Sequence, residues 1–339
     1  MAVTIKDVAK HANVSPSTVS RVIADHPRIS EETKRKVRKA MEQLGYHPNF
    51  QARSLANKST ETIGVVMPSS TNYAFQNPFF PEVLRGISMK AHEIGYGLYL
   101  STGTKEEEIY REVVSMVQGG RVDGIVLLYS RIHDQVMNYL FEENFPFIVI
   151  GRPYEHTDDI TYVDNDNVAI SKEVTNYLIE LGHDRIAFVG GDLDLVVTVD
   201  RLVGYKEALQ HARIPYRSEY FVQERFLREG GREAIKALLS LPEPPTALVV
   251  ADDMMAFGIM SHLESLKITV PEQISIISFN NLMVAEYSKP PLTTVEINIF
   301  QLGYEATNCL IEKMKNRDVL AKRITIPAKI IERQSCDKR

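Results

Sequence analysis

From Thr62 onward the chain alternates short apolar runs with helix-length segments, and this pattern restricts the folds open to it more than any other feature. The runs are Ile63-Gly64-Val65-Val66-Met67, Gly97-Leu98-Tyr99-Leu100, Gly124-Ile125-Val126-Leu127-Leu128 and Phe147-Ile148-Val149-Ile150. A second series comprises Ile186-Ala187-Phe188-Val189, Ala247-Leu248-Val249-Val250 and Ile274-Ser275-Ile276-Ile277. A run that is apolar throughout predicts a strand covered on both faces, and a helix-length spacer is what a crossover between parallel strands needs. Two series predict an α/β core of two doubly wound lobes with a cleft between them.

Ligands of such sheets bind just beyond the carboxyl ends of the strands. The first strand leads into the stretch from Ser69 to Phe80, which holds Tyr73, Phe75, Phe79 and Phe80. Later strands lead into Tyr129 and Ser130, Arg152, Gly190 to Asp192, Asp252 and Asn280. Aromatic faces beside carboxylates, amides and an arginine fit a sugar, whose hydroxyls need hydrogen bonds and whose C–H faces stack on rings. The effector candidates from this rule are Ser69, Tyr73, Phe75, Phe79, Arg152, Asp252 and Asn280. A nucleotide is disfavoured, because no Gly-Lys-Ser/Thr loop and no strand followed by Gly-x-Gly-x-x-Gly is found.

The first sixty residues differ in charge from the rest. They hold eleven Lys and Arg against five Asp and Glu, whereas the whole chain has 39 against 44 and a net charge of -5. A basic module on an acidic body predicts an anionic partner for that module. Its punctuation predicts three helices. Thr4 with Asp7 caps a helix to about Ala12; Ser15 with Pro16 at the first helical position starts a second to about Ala24; Ser30 caps a third that stops at Gly45. Helix, short turn, helix and a supporting third helix form a helix-turn-helix head, whose second helix enters the major groove. On that helix Val19 and Val22 face the packing side, which leaves Pro16, Ser17, Ser20 and Arg21 free. Arg21 has the fork that reads guanine, and the serines reach bases or phosphates. Thr4, Ser15, Thr18 and Arg28 complete the head's candidate DNA contacts.

The string Thr4-Ile5-Lys6-Asp7-Val8-Ala9, followed by Val14-Ser15-Pro16-Ser17-Thr18-Val19-Ser20-Arg21-Val22-Ile23, closely resembles the head of the lactose and galactose repressor family. So do Leu44-Gly45-Tyr46-His47-Pro48-Asn49 and Ala52-Arg53-Ser54-Leu55-Ala56. The resemblance continues through Arg121-Val122-Asp123-Gly124-Ile125, Asp253-Met254-Met255-Ala256 and Pro291-Leu292-Thr293-Thr294-Val295, and so covers essentially the whole chain. Asn77-Pro78-Phe79-Phe80-Pro81 and Phe279-Asn280-Asn281 are most similar to the maltose-operon repressors within that family. The resemblance implies a core like the periplasmic sugar-binding proteins, a homodimer, double-stranded operator DNA as partner, and a sugar effector of the maltose or maltooligosaccharide type. It also implies that Asn49, Ala52 and Leu55 lie on a hinge helix that pairs with its twin in the minor groove, where Leu55 wedges between base pairs. By position it assigns Arg201 to the effector and Phe226 to stacking on it. Asn280 stands where many members carry an aspartate.

The expected division is a helix-turn-helix head over 1–48, a hinge helix and linker over 49–60 and a core over 61–339. One lobe is expected over about 61–160 and 291–320, and the other over about 161–290 and 321–339. Cys309 and Cys336 have no metal or redox spacing, and no nucleophile, phosphate loop, metal set or cofactor motif marks an enzyme. Asp164 and Asp166 are read as a strand end and a helix cap rather than metal ligands. No signal peptide or bilayer-spanning run is seen, so a cytoplasmic protein without a membrane partner is expected. The alternatives left open are control by a phosphorylated carrier protein, a free sugar receptor, and a sugar-processing enzyme on the same core.

Overall fold

The computed structural model describes residues 3–46, 59–68 and 74–339. The hinge candidates Asn49, Ala52 and Leu55 and the loop candidates Ser69 and Tyr73 lie outside the described residues. The chain divides into two compact units, Met1–Thr60 and Glu61–Arg339.

In the first unit α1 spans Ile5–Ala12, α2 Pro16–Ile23 and α3 Glu31–Leu44. Each boundary has a local cause. The Asp7 carboxylate accepts from the Thr4 N–H at 2.9 Å and hydroxyl at 2.6 Å, Ser15 accepts from the Thr18 N–H at 3.2 Å and Ser30 from the Thr33 N–H at 3.3 Å. α3 ends at Gly45 with φ +63°, where a side chain would be strained. Val8, Ala9, Ala12, Val19, Val22, Val37 and Ala40 close a small core. Lys34 is 6% exposed and holds Asp25 at 2.9 Å and Glu31 at 3.0 Å. That cation of the basic module therefore fixes the turn before α3.

The second unit contains two six-stranded sheets. In chain order its elements are β1 (Thr62–Val66), α4 (Phe79–Glu93), β2 (Gly97–Leu100), α5 (Glu106–Gln118), β3 (Gly124–Leu127), α6 (Gln135–Glu142), β4 (Phe147–Ile150) and β5 (Tyr162–Asp164). Then come α7 (Asn167–Glu180), β6 (Ile186–Gly190), α8 (Val196–His211), β7 (Phe221–Gln223), α9 (Arg228–Leu239), β8 (Ala247–Val250), α10 (Asp253–Ser265) and β9 (Ser275–Phe279). The last are α11 (Met283–Tyr287), β10 (Thr293–Glu296), α12 (Ile299–Lys315), β11 (Arg323–Thr325) and β12 (Lys329–Ile331). One sheet has the order β11-β5-β4-β3-β1-β2 and the other β12-β10-β9-β8-β6-β7. Among the strands of the described residues, β10 and β12 pair antiparallel and the other pairs are parallel. β3, β4, β6, β8 and β9 are buried at every position, as strands covered on both faces should be.

The lobe boundaries fall a few residues from those expected. β5 belongs to the first sheet, β10 to the second and β11 to the first again, so the chain crosses between lobes after Asp164, after Glu296 and after Thr325. The expected breaks near 160, 290 and 320 cut ahead of strands that complete the sheet they had just left. Asn165, on the first crossing, donates to the Ile297 carbonyl at 3.1 Å and the Ile326 carbonyl at 2.8 Å, so one buried amide ties all three crossings together.

α9 packs against α10 through glycines at both ends of the contact. A Cβ on Gly231 would run into the Met255 carbonyl, and one on Gly258 into the Arg228 carbonyl. Gly231→Val should therefore force the helices apart and destabilise this lobe by about 1–3 kcal/mol, seen as a lower urea midpoint. An unchanged midpoint would show that the contact can relax. Among the described residues no helix is long and apolar enough to cross a membrane.

Candidate functional site

Two sets of side chains carry the sequence expectations, one in each unit. On the head, Pro16, Ser17, Ser20, Arg21 and Arg28 are exposed and Thr18 is half-buried. The Ser15 hydroxyl stands 2.7 Å from that of Ser17 and 2.8 Å from that of Thr18 while it also caps α2. Thr4 is likewise engaged with Asp7. Hydroxyls committed to caps have little capacity left for a partner. Arg21 makes no hydrogen bond or ion pair with a described residue, so its five donors are available.

In the core, a cavity of about 660 Å³ lies between the lobes at the carboxyl ends of the strands. That volume falls within the roughly 300–1,000 Å³ usual for small-molecule sites. Phe79, Arg201, Phe226, Asp252 and Asn280 all line it. Phe75 and Arg152 do not. Phe75 is 48% exposed. Arg152 is drawn to Asp200 instead, with Nε 3.0 Å from Oδ2 and Nη2 2.7 Å from Oδ1. A two-pronged pair of this kind is the strongest arginine–carboxylate geometry, and it takes the guanidinium away from the cavity.

Arg201 is the most unusual group in the cavity wall. It sits on α8, 5% exposed, with its guanidinium 4.0 Å from the Phe279 ring centre. Nε donates to the Asn167 side-chain oxygen at 2.9 Å and Nη1 to the Ala251 carbonyl at 2.7 Å. Both acceptors are neutral, and no described carboxylate forms an ion pair with it. Burial pulls its pKa down to about 10, while Asp164, Asp252, Asp253 and Asp200 act in the opposite sense from farther away. It stays charged at neutral pH, with three N–H donors not taken by any described residue.

Asp252 caps α10, accepting from the Met254 N–H at 2.7 Å through Oδ1. Its Oδ2 accepts from Asn77 at 2.9 Å and Asn280 at 2.8 Å. Burial raises its pKa to about 6. Asn280 reaches the cavity because the chain after β9 turns through two residues of positive φ, Asn280 at 106° and Asn281 at 50°. Asparagine tolerates such conformations better than most residues. Asp253 anchors that turn: it accepts from the Ser278 hydroxyl, the Thr294 hydroxyl at 2.7 Å and the Leu282 N–H at 2.6 Å.

Sequence reasoning missed Asn77 and Asn167 as parts of the wall. Asn77 stood in a quoted string without an assigned role. Asn167 acts on Arg201 from a neighbouring helix, a contact that no local pattern announces. Among the described residues no three or more His, Cys, Asp or Glu side chains gather where a metal ion could be held.

Comparison with known proteins gives two matches along the chain. Residues 4–49 match the family described as bacterial regulatory proteins, lacI family, and residues 175–336 match the periplasmic binding protein-like domain. The HTH-type transcriptional regulator MalR of Streptococcus pneumoniae is 41% identical over 98% of this chain and 100% of its own length. A solved structure of a probable maltose operon transcriptional repressor, malR, from Staphylococcus aureus superposes with a TM-score of 0.74 at 30% identity, over 82% of this chain and 98% of that one. The lac repressor dimer bound to operator and the anti-inducer ONPF superposes with a TM-score of 0.86 at 25% identity, over 99% of both chains.

Proposed function

The chain belongs to the lacI family of bacterial regulatory proteins, and on that basis we propose that it is a sequence-specific repressor of maltose or maltodextrin utilisation genes. It acts as a homodimer on operator DNA in the cytoplasm, and a sugar in the core cavity relieves repression. The observation that carries the effector half of this reading is Arg201. A buried cation with no counter-ion in contact is costly to keep, and its free donors line a cavity bordered by the Phe79 and Phe226 rings. That combination offers hydrogen bonds to sugar hydroxyls beside apolar faces for stacking. The DNA half rests on the free face of α2, with Arg21 as the base-reading group and Ser17, Ser20 and Arg28 beside it.

If the sugar and the operator favour different arrangements of the protein, linkage requires each to weaken the other's binding by the same factor. The test is an operator-binding titration with a panel of sugars, maltose and maltotriose first. One of them should weaken operator binding at least fivefold, the lower end of common allosteric couplings. If no sugar changes operator affinity but a phosphorylated carrier protein does, the sugar assignment is replaced by carrier control.

A further inference from the structure

Asp25 runs against three local preferences at once. α2 closes with the double hydrogen bond that ends many helices: the Asp25 N–H donates to the Val22 carbonyl at 3.0 Å and the His26 N–H to the Arg21 carbonyl at 2.9 Å. This closure puts Asp25 in the left-handed region, at φ 50°, where glycine is the usual residue. A carboxylate at the negative end of a helix is disfavoured, and on a basic module that meets phosphates it repels the partner. Departures of this kind gather at positions with a role.

What the carboxylate holds shows the role. Its Oδ1 takes Lys34 Nζ at 2.9 Å and Arg38 Nη2 at 2.9 Å, both from α3. Lys34 is buried, whereas Arg38 is exposed. The hydrogen bond from Lys34 holds the Asp25 carboxyl below the ordinary carboxylate range, so it is charged at neutral pH. His26 closes the turn that follows: its Nδ1 accepts from the Arg28 N–H at 3.2 Å and its carbonyl from the Ile29 N–H at 3.1 Å. Arg21 lies just before this turn and Arg28 within it. Both are exposed, and neither makes an ion pair with a described residue.

We propose that Asp25 is a specificity-determining residue of the head that reads no base itself: it fixes the turn that spaces Arg21 from Arg28, and it withholds Arg38 from the phosphates of any sequence. The inference rests on the head being the DNA-binding unit. Positioning strengthens binding to the selected sequence, and withholding weakens binding to all the others. Specificity is the difference between those affinities, so the two effects add.

Asp25→Asn removes the charge, keeps the shape and leaves a residue that tolerates the left-handed region. Lys34 keeps Glu31 at 3.0 Å, so no buried cation is stranded. The full-length variant and parent are titrated at several salt concentrations with two probes, a duplex that the parent selects from a random pool and a shuffled duplex of the same length and composition. The variant should bind the shuffled duplex about threefold tighter or more, with a salt slope steeper by about two units for one freed cation at each half-site. Its preference for the selected duplex should fall on the order of tenfold. Glu32→Gln, which removes an exposed acid from α3, is the control for charge alone and should strengthen both duplexes alike.

Tighter binding to the shuffled duplex with a steeper slope and a reduced preference supports the inference. If Asp25→Asn behaves as Glu32→Gln does, Asp25 acts by charge alone and the positioning role is overturned. Equal weakening on both duplexes at an unchanged slope marks a folding residue and overturns it too, as does no change at all. Should Asp25→Asn fail to fold by circular dichroism, Asp25→Gly, which the left-handed position favours, takes its place in the same titrations. A parent that prefers no duplex removes the DNA-binding reading and this inference together, whereas a parent that selects its duplex beside a variant that matches it places the failure here alone.

Discussion

Arg201→Ala is expected to give a repressor that binds its operator as the parent does but is not released at sugar concentrations that release the parent. The guanidinium supplies the free donors in the cavity wall, and a hydrogen bond to a charged group contributes about 1.5–3 kcal/mol. Its loss should raise the sugar concentration needed for release roughly tenfold to a hundredfold. The fold should survive, for a reason specific to this arginine. Cutting one partner out of a buried ion pair strands the other charge and commonly costs about 3–5 kcal/mol, but among the described residues the Arg201 guanidinium meets neutral groups, the Asn167 side-chain oxygen, the Ala251 carbonyl and the Phe279 ring. Asp164 and Asp252, already raised to about 6 by burial, lose a distant cation. They can then take up protons more readily instead of remaining as unpaired anions. Operator retention against sugar concentration, measured for both proteins side by side, is the test, and superimposable curves would remove Arg201 from the effector site. A variant that loses operator binding as well would mark it as a folding residue.

The sugar response also shows where sequence reasoning reached and where it stopped. The head was legible because its signals are local: Ser15 and Pro16 open α2, Ser30 opens α3 and Gly45 closes it, each within a residue of where composition puts it. β3, β4, β6 and β8 were legible because burial on both faces leaves no polar position, whereas β9 keeps two buried serines and β2, at the end of its sheet, is partly exposed instead of covered on both faces. β5, β7, β11 and β12 are three residues each, and β11 pairs with β5 across some 160 residues of chain. No run or period marks such segments, and the lobe boundaries slipped with them. At the cavity, the strand-end rule located Asp252 and Asn280 but not what each would touch. It placed Arg152 in the site because it follows β4, whereas Asp200, contributed by α8 of the other lobe, holds its guanidinium elsewhere. Asp200 and Arg201 are neighbours in sequence on α8. On a helix, adjacent residues point in different directions, and the two arginines have divided the possibilities between them: one is paired and half-exposed, the other buried and unpaired.

The same distinction between engaged and free cations decides what to expect on the DNA side. Lys34 and Arg38 are held by Asp25, so neither is a first choice for a base contact. Arg21 is exposed on α2 beside Ser17 and Ser20, with no partner among the described residues. A fork in that position can bond guanine at two atoms, and each such contact is worth about 1–3 kcal/mol of discrimination. In a dimer on a two-fold operator the loss occurs at both half-sites. Arg21→Ala should therefore lower the preference for operator over random DNA by about 2–6 kcal/mol, with sugar binding and the urea midpoint of the core unchanged. Lys36→Ala serves as the comparison. It removes an exposed cation from α3 and, if that cation meets phosphate in both half-sites, should weaken all sequences alike and reduce the salt dependence by about two units of slope. Competition titrations at several salt concentrations distinguish the two behaviours, and an Arg21→Ala protein that weakens all DNA equally, as a phosphate contact would, shows that α2 does not read bases through this residue.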